Sequence, residues 1–129
     1  MSDFGKLLTA VITPFDNNGV LNTDTLWRLC KKLVHEKSDG LVLSGTTGES
    51  PNLTKEDRKI IYSTAKDSVG DKAKIIAGTG TYSTKESIEY TKMANDIGVD
   101  GIMIVTPYYS KPSQFLSLIH ISEPTRLEL

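Results

Sequence analysis

The sequence holds 129 residues, 15 of them basic and 16 acidic, with a formal charge of −1 and 38% hydrophobic content. One domain of that composition can bury an ordinary core, which excludes a disordered chain, and its balanced charge leaves no footprint for nucleic acid. A lone cysteine, Cys30, excludes an internal disulfide, and no apolar run reaches the ~20 residues of a membrane span. No basic stretch with a long apolar segment follows Met1, so a cytoplasmic location is expected.

Taken in order, residues 7–12 form an apolar run stopped by Thr13-Pro14, which predicts a first strand. Asp16-Asn17-Asn18-Gly19 is a turn cluster. A helix then starts at Asn22 or Thr23, either of which can cap it. Leu26, Leu29, Cys30, Leu33 and Val34 share one apolar face, which makes Cys30 a small core residue and not a reactive thiol. His35 closes that helix, where a basic residue suits the dipole.

Residues 40–43 predict the second strand. The second helix opens on Thr54-Lys-Glu-Asp57, a capping box with Asp in place of Glu, and ends at Gly70. Residues 74–77 predict the third strand. Ser83-Thr-Lys-Glu86 is a capping box for a third helix that stops at Gly98, and residues 101–105 predict a fourth strand. Strand starts fall roughly 30 residues apart, as βαβ units require. Apolar strands alternating with amphipathic helices predict a parallel sheet covered by helices. A doubly wound sheet and a (β/α) barrel share this signal, and the local pattern does not choose between them.

The stretch with the most chemistry is Ser44-Gly45-Thr46-Thr47-Gly48-Glu49-Ser50, between the second strand and the second helix. Ligands of α/β proteins sit at such strand carboxyl ends. Gly45 and Gly48 permit close backbone approach, and the Thr46 and Thr47 hydroxyls beside exposed amides make a cradle for a small carboxylate or phosphate. An ordinary βα turn is the alternative. Gly78-x-Gly80 invites a dinucleotide reading, but Ser83 holds the third glycine position and two strands precede it, so no nucleotide cofactor is expected. No histidine or cysteine cluster predicts a metal.

The successive strand ends read Ala10-Val-Ile-Thr-Pro14-Phe15, Gly45-Thr-Thr-Gly-Glu49-Ser50, Ala77-Gly-Thr-Gly80 and Val105-Thr-Pro107-Tyr108-Tyr109. In that order they resemble the dihydrodipicolinate synthase and N-acetylneuraminate lyase family of pyruvate-dependent aldolases, over residues 5–114. Thr46-Thr47 and the run from Tyr108 to Gln114 are most similar to dihydrodipicolinate synthase. The resemblance implies an α/β fold of the eight-stranded (β/α) TIM-barrel family, of which this chain holds the first four strands and three helices. It implies condensation of pyruvate with aspartate semialdehyde through a lysine Schiff base, in a homotetramer built as a dimer of dimers. Matched residue by residue, Thr46 and Tyr109 fall on members of a hydroxyl proton relay, and Thr46-Thr47 on the substrate-binding cradle for the pyruvate carboxylate. Tyr109 is implied to reach a neighbouring subunit's site; a surface or packing aromatic is its plainer reading. Tyr108 is expected to pack or to rim a regulatory site. Family members inhibited by lysine carry other residues where this chain has Lys55, Arg58 and Tyr82, and two cations there would repel a lysine ammonium.

The resemblance stops at Gln114. Residues 115–129 lack the expected Glu-Gly and amphipathic helix, and Pro124 interrupts helical pattern. The tail therefore reads as frameshifted or foreign sequence joined to residues 1–114, and His120 has no expected role. The Schiff-base lysine belongs downstream and is matched by no lysine here, so the chain as written is expected to be catalytically incomplete. Another pyruvate aldolase, or a non-catalytic half-barrel that pairs with complete subunits, are the alternatives.

Overall fold

The computed structural model describes residues 3–125; residues 126–129 of the tail lie outside the described residues. Four strands, β1 (Leu8–Ala10), β2 (Gly40–Leu43), β3 (Lys74–Gly78) and β4 (Gly101–Met103), alternate with helices α1 (Thr23–His35), α2 (Lys55–Val69) and α3 (Thr84–Ile97). A fourth helix, α4, covers Gln114–Thr125. The strands pair in parallel in the order β1-β2-β3-β4. A doubly wound sheet reverses direction at a switch point, whereas consecutive order throughout is that of a barrel wall. The sequence-level ambiguity is thereby removed.

Local chemistry explains the helix limits. Asn22 caps α1 by accepting from Thr25 N, and the Thr54–Asp57 box at α2 is fully reciprocal, with both bonds at 3.0 Å. At α3 only half of the expected box forms. Ser83 Oγ accepts from Glu86 N, but the Glu86 carboxylate turns to Thr81 Oγ1, whose oxygen already takes the Ser83 amide. Gly98 ends α3 in the left-handed region.

The core lies between the sheet and α1–α3. Leu26 and Cys30 of α1 and Ile61, Tyr62 and Ala65 of α2 pack with Leu41, Leu43 and Ile75 of the central strands. Burial pushes the Cys30 thiol up to about 11, as expected of a core thiol. Strands β2 and β3 are mostly buried, while β1 and β4 are partly exposed and shorter than their apolar runs. Outer strands lack a neighbour on one side, so the ladder gives out before the apolar run does.

Helix α4 corrects two expectations. The chain has four α-helices among the described residues, and Pro124 falls in the last turn of α4 without preventing it. His120 is not idle: it is the buried residue among the α4 side chains described, and it docks the helix on α3. Its Nδ1 lies 2.7 Å from Thr84 Oγ1 and its Nε2 lies 3.4 Å from Ser87 Oγ. Burial lowers the His120 pKa.

Candidate active site

The carboxyl ends of β2, β3 and β4 open onto one cavity of about 250 Å³. Its first wall is Ser44, Gly45 and Thr46 with Ser50 and Pro51; its second is Gly78 and Gly80. Met103, Val105 and Tyr108 close it from the β4 side. Gly78-x-Gly80 owes its glycines to packing. A Cβ on Gly78 would stand 2.5 Å from Ser44 O, and one on Gly80 would stand 2.5 Å from Val105 N. They let three strand ends converge.

The β2–α2 loop is held from several sides. Thr13 Oγ1 donates to Gly48 O at 2.6 Å, which ties the loop to the end of β1. Gly48 serves this contact and not a ligand, because a Cβ there would meet Val11 O at 3.0 Å. Within the loop, the amides of Gly48 and Ser50 reach Gly45 O and that of Glu49 reaches Thr46 O. Two non-glycine residues, Ser44 (φ 57) and Glu49 (φ 58), adopt left-handed backbone to make these bends. Ser44 Oγ is buried without a hydrogen bond of standard geometry, beside the Tyr62 hydroxyl, which donates to Gly78 O at 3.0 Å. Burial is the main cause raising the Tyr62 phenol above its ordinary value.

Of the residues singled out in the sequence, Thr46 lines the cavity. Thr47 is exposed beside it and does not form the wall. Tyr109 lies outside the cavity, 96% exposed, on left-handed backbone at φ 67. Tyr108 instead lines it and packs edge-on against Tyr82, with ring centroids 5.8 Å apart. Lys55 is within 4.0 Å of Glu89, and Arg58 is buried, so the two cations do not stand together in solvent. Sequence reasoning placed Ser44 and Ser50 in the key stretch without an individual role, set Arg58 only at a regulatory position, and passed over Met103. Ser50 was visible as a loop hydroxyl, but nothing local marks Arg58 as buried.

Sequential parallel strands backed by helices, with one cavity at their carboxyl ends, define part of a (β/α) barrel of the kind that carries its site on βα loops. Residues 3–120 match the dihydrodipicolinate synthetase family, and the chain belongs to it. The 4-hydroxy-tetrahydrodipicolinate synthase of Desulforudis audaxviator is 53% identical over 112 residues, covering 87% of this chain and 38% of that protein. That of Moorella thermoacetica is 52% identical, covering 86% and 38%. The chain thus spans well under half the length of these curated relatives. Among solved structures, a dihydrodipicolinate synthase from Bacillus anthracis matches with a TM-score of 0.94 at 40% identity, over 98% of this chain and 43% of that one. The enzyme from Cyanidioschyzon merolae, solved with lysine bound, matches with a TM-score of 0.92 at 37% identity, over 95% and 42%.

Proposed function

We propose that residues 1–114 are the N-terminal part of a 4-hydroxy-tetrahydrodipicolinate synthase, which condenses pyruvate with L-aspartate 4-semialdehyde through a lysine Schiff base. The observation that carries this reading is the convergence of the β2, β3 and β4 loops on one small cavity walled by Thr46. Its scale suits a three-carbon keto acid. Thr46 and Thr47 amides, which take no acceptor among the described residues, and their hydroxyls would hold the carboxylate. The Thr46 hydroxyl would pass protons as the carbinolamine forms and collapses, without placing a charge in the cavity. Tyr109, exposed and on strained backbone, would complete a relay in a neighbouring subunit of a tetramer.

The lysine that forms the imine would come from a later strand, and residues 1–129 alone would then lack the covalent step. The break expected at Phe115 would then move to the end of the family match at residue 120, with the sequence beyond it foreign to the protein. Among the α4 residues whose side chains are described, the buried one is His120, while Phe115 is 71% and Leu118 is 64% exposed. Lysine would not inhibit the full-length protein, because positions 55, 58 and 82 differ from those of lysine-inhibited family members; the repulsion by two cations loses its support, since Lys55 lies 4.0 Å from Glu89 and Arg58 is buried.

The test is a condensation assay on the full-length protein that carries residues 1–114. Thr46→Val should lower kcat about 10²–10³-fold, the range of a lost proton-transfer group, with a smaller change in pyruvate KM. Unchanged kcat would remove Thr46 from the chemistry. Absent condensation in the unsubstituted protein would remove the assignment itself. Millimolar lysine should leave the rate unchanged.

A further inference from the structure

Behind the cavity wall sits a cation that the chemistry above does not use. Arg58, in the first turn of α2, is 1% exposed. Its Nη1 donates to Gly78 O at 2.8 Å, and its Nη2 donates to Ser50 O at 2.8 Å and Ser50 Oγ at 2.7 Å. The guanidinium carbon lies 4.4 Å from the Tyr90 ring centroid, and Nε has no acceptor. Every one of these partners is neutral.

The nearby carboxylates are committed elsewhere. Asp57 caps Thr54 N, Glu49 accepts from Asn52 Nδ2, Glu86 on α3 is exposed and turned to Thr81, and Glu89 faces Lys55. Among the described residues Arg58 has no ion pair. A guanidinium stays charged in any protein environment, and burying one without a counter-charge is costly. Such a charge keeps most of its field, because neither water nor a carboxylate cancels it. Ser50 and Gly78, the two residues it holds, are both cavity-wall residues on opposite loops.

We infer that Arg58 is a positioning residue that locks the β2 and β3 loops together and makes the cavity select a small carboxylate over its neutral analogue. Its hydrogen bonds fix the wall, and its unpaired charge raises the affinity for an anion on the far side of that wall. The inference rests on the reading of the cavity as a keto-acid site, and it adds a residue that never touches the ligand.

The experiment compares pyruvate with pyruvamide, which keeps the ketone and loses the charge. Affinities of the full-length protein and of Arg58→Lys, Arg58→Gln and Arg58→Met are measured for both ligands. The pyruvate-to-pyruvamide preference should fall about tenfold in Gln and Met and stay near the unsubstituted value in Lys. A residue that only stabilised the fold would weaken both ligands alike, and an unchanged preference in Gln and Met overturns the inference. Where those two variants do not fold, Ser50→Ala decides, because it cuts one bond and keeps the charge. Both ligands should then weaken with the preference retained, and loss of the preference would assign selection to the serine hydroxyl instead. An unsubstituted protein that binds neither ligand overturns the keto-acid reading and this inference with it. Binding of pyruvate with a preference indifferent to residue 58 overturns the inference alone.

Discussion

Helices α1–α3 and helix α4 lie against the same half-barrel and use their side chains in opposite ways. The first three turn Leu26, Cys30, Ile61, Tyr62 and Ala94 into the core and, Arg58 apart, keep their charged residues partly or fully exposed. Helix α4 buries His120 and leaves Phe115, Leu116, Leu118 and Ile119 in solvent. An amphipathic helix covers its apolar stripe against a neighbour, and the exposed apolar side chains of α4 meet none among the described residues. The contrast is physical, and it falls inside the family match, which runs on to residue 120.

Core substitutions should separate the two regions most strongly. Leu26→Ala in α1 should cost about 2–5 kcal/mol in denaturant unfolding of the full-length protein, through lost burial and the cavity left behind. A cost below that range would mean that the α1 core is not what holds this half together. Thr54→Ala, which removes the side-chain half of the α2 capping box and leaves the residue 54 amide on Asp57, should cost about 1 kcal/mol. Leu118→Ser in the 129-residue chain should change stability by less than about 0.5 kcal/mol and reduce self-association. A large loss there would make α4 an integral element and erase the contrast.

The smallest effect is set by pH. The folded-state pKa of His120 lies below its ordinary value of 6.5, so the folded state disfavours the proton that the unfolded chain accepts. The stability from its burial is therefore complete above about pH 6.5 and declines as pH falls through the lowered folded value. Amide exchange in α4 should rise at acid pH relative to α3, and His120→Gln should flatten that difference. Equal acid response in α3 and α4 would show that His120 does not hold the contact.

Elements whose limits are set by neighbouring residues were legible in the sequence. The bounds of β2 and the caps Asn22, Thr54 and Ser83 all follow from chemistry within a few positions. Features set by distant partners were not. Glu86 left its expected partner because Thr81, outside the box, competes for it. Strand β4 stops at Met103 because it lies on an open edge, although the apolar run continues to Val105. Helix α4 was hidden by Pro124, which stands in its last turn, so the bond it removes is lost only at the helix end. In the site, the Thr46 loop announced itself by composition, whereas Arg58 has the look of a surface residue until Ser50 and Gly78 are brought to it.

Borohydride reduction in the presence of pyruvate tests the central claim most directly. The full-length protein carrying residues 1–114 should retain one pyruvate per subunit, and the 129-residue chain should retain none, although Lys74 and Lys111 are present in both. A stoichiometric adduct on the 129-residue chain, or none on the full-length protein, would contradict the assignment of this half-barrel to a lysine-dependent synthase.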